Sequence, residues 1–77
     1  MAEKITAAVL TVSTSAFAGK RTDKSGPALC KLCADGGFNV IAYDIVDDSK
    51  PRIIRKMKYY TDKLKAAIVL TTGGTGF

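Results

Sequence analysis

The chain alternates apolar runs with polar stretches in an order that predicts strands separated by helices. Lys4 to Val12 reads Lys-Ile-Thr-Ala-Ala-Val-Leu-Thr-Val, β-branched and mostly apolar without clean alternation, as expected of a strand covered on both faces. Ser13 to Lys24 is small and polar, longer than the usual connection of about 4 to 6 residues, and predicts a functional loop. A helix is predicted from Pro27 to Asp35, with Ser25 as its cap and Gly36-Gly37 as its stop. Phe38 to Val46 then has strand composition, through Val40, Ile41, Tyr43, Ile45 and Val46. Pro51 opens a second helix to Leu64, in which Ile53, Met57, Tyr60 and Leu64 recur on one face. Lys65 to Thr72 holds the short run Ala66 to Leu70, a third strand, which leads into Thr71-Thr72-Gly73-Gly74-Thr75-Gly76.

The order strand, helix, strand, helix, strand predicts right-handed crossovers and so an α/β fold: a mainly parallel sheet between layers of helix, present as a βαβαβ half of a larger unit. All strands then point one way. Ser13 to Ser15, Asp47-Asp48 and Thr72 to Gly76 emerge at one edge, where open α/β sheets bind ligands. Three glycines and three threonines at a strand end allow close backbone approach and hydroxyl contact with a phosphate or a heterocycle. The spacing matches neither a Walker A loop nor the dinucleotide fingerprint.

The 77 residues bound one domain at most, with a thin core. No apolar stretch reaches the roughly 18 to 20 residues needed to span a bilayer, and the first residues lack the pattern of a secretory signal, so a cytoplasmic protein is expected. Histidine is absent, which removes Ser-His-Asp and Cys-His nucleophiles and leaves acid, base and metal work to Asp, Lys and Tyr. A net charge of +5 favours anionic partners. Asp47 or Asp48 could hold Mg²⁺ beside a nucleotide's phosphates, or simply cap the second helix. Ser13, Thr14, Ser15, Asp23 and Ser25 are equally open between capping and substrate contact. Cys30 and Cys33 lie mid-helix three residues apart and read as core packing, not a redox or zinc site. Arg52, Arg55, Lys56, Lys58, Lys63 and Lys65 read as a solvated face, with Asp62 pairing to Lys58 and Lys65.

Val12-Ser13, Arg21-Thr22-Asp23-Lys24-Ser25-Gly26-Pro27, Ile45-Val46-Asp47 and Leu70-Thr71-Thr72-Gly73-Gly74-Thr75-Gly76-Phe77, taken in order, resemble the molybdenum cofactor biosynthesis proteins of the MogA/MoaB type. The same domain occurs in gephyrin and in its plant counterpart. The resemblance implies a three-layer α/β/α domain, usually a homotrimer, that binds molybdopterin and transfers AMP from Mg-ATP to its terminal phosphate. It further implies that Thr72, Gly73, Gly74, Thr75 and Gly76 contact the pterin ligand and its phosphate, that Ser13 lines the same pocket, and that Asp47 is catalytic through magnesium. Thr14 stands where many members carry Asp. The family's second acidic segment, of Arg-Asp-Val-Thr-Pro type, follows the glycine loop and is not among these residues, so the 77 residues alone are expected to lack transferase activity. Two alternatives remain: a homologue that binds molybdopterin without adenylylating it, and a nucleic-acid-binding module built on the basic helix.

Overall fold

A computed structural model describes residues 4–73. Strand β1 (Thr6–Val12) is followed by a short helix α1 (Thr14–Phe17), helix α2 (Ser25–Asp35), strand β2 (Asn39–Val46), helix α3 (Lys50–Lys58) and strand β3 (Ile68–Gly73). The strands form one parallel sheet in the order β2-β1-β3. The α/β class expected from the alternation of runs is the observed one.

The central position of β1 explains its composition. Ala7, Ala8, Val9 and Leu10 are fully buried, because helices cover both faces and strands cover both edges. Successive side chains point to opposite faces. Ala8 and Leu10 meet Val46, Tyr60 and Ala66, with Ile53 and Leu64 packed alongside, on the α3 side. Thr11 points the other way, toward the start of α2. The pairing with β2 shifts between Ala7 and Ala8, where Ile41 is the extra residue.

Several sequence expectations are corrected. The first strand begins at Thr6, not Lys4, and the third runs from Ile68 to Gly73, starting and ending later than the expected run from Ala66 to Leu70. The loop after β1 contains helical turn α1, because the Ser13 hydroxyl accepts from the Ala16 amide at 3.3 Å and caps it. Ser25 lies inside α2 and does not cap it. Asp23 takes that role, its carboxylate accepting from the Gly26 amide at 3.2 Å and the Ser25 hydroxyl at 3.1 Å. The second long helix is α-helical only to Lys58 and widens into a π turn over Tyr59–Lys63. Met57 lies outside the core cluster and is 37% exposed, so it does not share the buried face of Ile53, Tyr60 and Leu64. The expected pairs of Asp62 with lysine do not form among the described residues. Helix cations instead reach β2 and its end: Lys56 lies 3.5 Å from Asp44 and Arg52 lies 3.6 Å from Asp47. Cys33 is buried and Cys30 half-buried, both as free thiols.

Candidate functional site

The three strands end level. Val12 pairs with Val46 on one side and Gly73 on the other, so Ser13, Asp47 and Gly73 stand at one edge of the sheet. Close packing makes Gly73 obligatory there: its φ is +88°, and an added Cβ would lie 2.8 Å from the Val12 carbonyl oxygen. Gly74, Thr75 and Gly76, predicted to touch ligand, lie outside the described residues. Thr72 is half-buried in β3, opposite Thr11.

Two cavities open at this edge, and Ser13 lines both. One, of about 410 Å³, lies between α1 and the end of β2, among Ser13, Thr14, Ser15, Lys20 and Asp48. The Asp48 amide donates to the Thr14 hydroxyl at 3.4 Å, which ties that loop to α1. The second, of about 550 Å³, is bounded by Ser13, Thr22, Asp23, Ser25 and Gly73, with Arg21 and Lys24 supplying cations. Both volumes fall within the range of small-molecule sites, roughly 300 to 1,000 Å³. The cations at the edge therefore come from the segment between β1 and α2, an arrangement that the prominent charge of α3 obscured in the sequence.

A half-buried hydrogen-bond centre holds that segment. The Asp23 carboxylate accepts from the Thr11 hydroxyl at 2.7 Å and from the Tyr43 hydroxyl in a short contact, in addition to Ser25 and Gly26. Desolvation pushes the Asp23 carboxyl up, but hydrogen bonds from Tyr43, Thr11, Gly26 and Ser25 together outweigh it and leave its pKa lowered. Desolvation, then the hydrogen bond and charge of Asp23, push the Tyr43 hydroxyl up to about 12. An aspartate two residues before Ser-Gly was a visible signal. Its partners Thr11 and Tyr43, 12 and 20 residues away, were not. No side chain fits at Gly26, whose Cβ would stand 2.6 Å from the Thr11 hydroxyl.

Asp47 and Asp48 diverge. Asp48 faces the smaller cavity, whereas Asp47 lines neither and pairs with Arg52. Asp47 Oδ1 is nevertheless buried with no hydrogen-bond partner, an orphaned acceptor suited to a cation or a donor. Among the described residues no three acidic or thiol groups cluster as a metal site. The residues fit a magnesium ion that arrives with phosphates, since such an ion needs only one or two protein carboxylates. Burial, then the charges of Cys33 and Asp23, push the Cys30 thiol up and disfavour its thiolate.

Comparison with known proteins agrees with this fold. A family profile described as "Probable molybdopterin binding domain" matches residues 8–77. The chain belongs to this molybdopterin-binding domain family. Within the family it is 40% identical over 68 residues to a molybdopterin adenylyltransferase of Pyrococcus furiosus, covering 88% of this chain and 39% of that protein. It is 37% identical over 76 residues to the molybdenum cofactor synthesis protein cinnamon of Drosophila melanogaster, covering 97% of this chain and 13% of that protein. The crystal structure of the molybdopterin biosynthesis enzyme MoaB from Thermus thermophilus superposes with a TM-score of 0.86 at 36% identity, over 95% of this chain and 46% of that one. The tungsten cofactor synthesizing protein MoaB from Pyrococcus furiosus gives 0.86 at 32% identity, over 100% and 47%. The chain thus spans under half the length of these relatives. No helix among the described residues is long and apolar enough to cross a membrane.

Proposed function

We propose that this segment forms the molybdopterin and phosphate side of a molybdopterin adenylyltransferase that uses Mg-ATP. The observation that carries the reading is the convergence of Ser13, Asp48 and Gly73 on two adjoining cavities at the carboxyl edge of the sheet, with Lys20, Arg21 and Lys24 around them. In AMP transfer, an oxygen of molybdopterin's terminal phosphate attacks the α-phosphorus of ATP, a phosphoanhydride bond forms, and pyrophosphate leaves. A phosphate monoester is already ionised near neutral pH, so no histidine is needed as a base. What remains is positioning and charge neutralisation. Lys20 and the hydroxyls of Ser13, Thr14 and Ser15 suit phosphate oxygens, Arg21 and Lys24 suit the charge on the Gly73 side, and Gly73 keeps the backbone open to the ligand. Asp48, which faces the cavity, is the carboxylate that would hold magnesium, and that ion would neutralise phosphate charge when it binds with the nucleotide. Asp47, the catalytic candidate of the family resemblance, lines neither cavity and would have to turn from Arg52, its unpartnered Oδ1 first, to join the ion. Because Asp47 is already paired with Arg52, binding of molybdopterin without transfer is the second reading. We further propose a homotrimeric, cytoplasmic protein, as the family resemblance implies, which sedimentation and localisation test.

Molybdopterin binding to the 77-residue chain should be measured by fluorescence titration, and AMP transfer on a chimera in which this segment replaces its counterpart in the Pyrococcus adenylyltransferase. Gly73→Val should weaken binding by at least about tenfold through positive-φ strain and loss of backbone approach. Asp48→Asn should retain binding and lose most transfer, more so than Asp47→Asn. A chimera that binds but never transfers AMP would leave the binding reading. Unchanged binding by the Gly73 variant would remove the site from this edge.

A further inference from the structure

On the opposite side of α1 from the two cavities lies a third concavity, of about 560 Å³, between α3 and β2. Its walls are the exposed rings of Phe17 and Tyr59, 48% and 46% accessible, and its floor is Ile45 and Val46. Three cations line it, Arg52, Arg55 and Lys56, against one carboxylate, Asp44. Arg52 and Lys56 stand over the two rings, 5.5 Å and 5.7 Å from their centroids. Their pairs with Asp47 and Asp44 are half-exposed, and solvent-screened pairs of this kind exchange partners readily. Arg55 has no ion pair among the described residues.

Beside this groove runs a backbone edge. Among the described strands β2 pairs only with β1. The Ser13 amide donates to the Val46 carbonyl at 2.8 Å, which sets the phase of that pairing. By the alternation of a parallel ladder, Val46 and Asp44 turn their backbone groups to β1, and Tyr43 and Ile45 turn theirs outward. The groove therefore combines unpaired amides and carbonyls, an apolar floor and surplus positive charge.

We infer that this edge receives an extended acidic peptide segment of a partner protein, which adds as a strand beside β2 and lays its carboxylates on Arg52, Arg55 and Lys56. Two features favour a peptide over a nucleic acid strand. Each ring already carries a cation over one face, which leaves less room for stacked bases, and the outward backbone groups of Tyr43 and Ile45 match another backbone. The inference does not require the adenylyltransferase reading: no residue that lines this groove lines either of the first two cavities, and Arg55, unlike Arg52, makes no pair with Asp47.

The test uses a labelled peptide of about eight residues alternating Glu and Val, the length of an ordinary strand. The expected results are anisotropy-detected binding that weakens with salt, slowed amide exchange at Tyr43 and Ile45, and about tenfold weaker binding to Arg55→Glu, whose circular dichroism and melting should match the parent. A Lys-Val peptide and a backbone N-methylated Glu-Val peptide should both fail to bind. Absence of binding at about 1 mM peptide overturns the proposal, as does equal binding of the N-methylated form, which would reduce it to charge attraction alone. Displacement of the peptide by an equimolar oligothymidine strand would reassign the groove to nucleic acid. Concentration-dependent protection of Tyr43 and Ile45 without peptide, lost in Arg55→Glu, would reassign it to a second copy of the chain.

Discussion

Asp23 and Tyr43 show how two residues set the behaviour of a loop. Asp23 is ionised and receives four hydrogen bonds, and Tyr43 is neutral and donates one of them. Tyrosine in the unfolded chain titrates near 10.0, whereas folded Tyr43 titrates at about 12, because burial and then Asp23 disfavour the phenolate. The folded state therefore holds this proton more tightly, and the resulting stability is complete below pH 10 and lost as pH rises to about 12. Asp23 acts in the opposite sense: its folded pKa is lowered from 3.8, so its contribution is present above that value and lost as pH falls through the lower folded one. Urea unfolding followed as a function of pH should show an alkaline decline that shrinks in Tyr43→Phe. A remainder should persist from Tyr60, whose hydroxyl burial and Asp44 also push up. An identical alkaline decline in the Phe variant would mean that Tyr43 does not carry the linkage.

Among the elements, the passage from α3 to β3 departs furthest from regular geometry. The helix widens over Tyr59–Lys63, the Leu64 amide bonds to the Tyr59 carbonyl at 3.2 Å, and Lys65 then takes φ 59°, a left-handed conformation that favours glycine after a helix end. The start of β1 fastens this turn, because Thr6 accepts from the Ala67 amide and donates to the Lys65 carbonyl. Tyr60 gives the departure its reason. It is fully buried against Leu10 and Val46 and donates to Asp44 at 2.6 Å, so the turn is shaped to seat one large side chain with its hydroxyl satisfied. Lys65→Gly should remove the left-handed penalty and raise stability by about 0.5 to 1 kcal/mol, after the extra chain entropy of glycine is deducted. Chemical denaturation at constant slope would register this, and a decrease would show that the Lys65 side chain holds the turn by contacts of its own.

For the whole molecule, the order β2-β1-β3 concentrates stability in the middle. Among the described strands only β1 is paired on both sides, and its residues Ala7 to Leu10 are fully inaccessible. Amide exchange should accordingly be slowest in Val9 and Leu10, near the limit set by global unfolding, and faster by at least about tenfold at the outward amides of Tyr43 and Ile45. Uniform exchange across the three strands would contradict this gradient. The same arrangement places both chemical features at β1's margins, the ligand cavities beyond its carboxyl end and the basic groove beyond its neighbour β2.

Much of this architecture was legible in the chain. The run from Lys4 to Val12 announced a strand buried on both faces, two residues longer than the observed one, the alternation of runs announced a parallel α/β sheet, and Thr72 to Gly76 marked the edge where ligand contacts were to be sought. Those signals are local, since each depends on the composition of one segment. What the tertiary structure alone decided was pairing and direction: that β1 lies between the other two strands, that Asp23 meets Thr11 and Tyr43, that the basic helix spends two of its cations on Asp44 and Asp47, and that Asp48, not its neighbour, faces a cavity. Adjacent residues at a strand end point to opposite sides, so identical aspartates in sequence become different groups once the register with β1 is set. That register is a product of hydrogen bonds and packing between segments far apart in the chain, to which no single segment carries the answer.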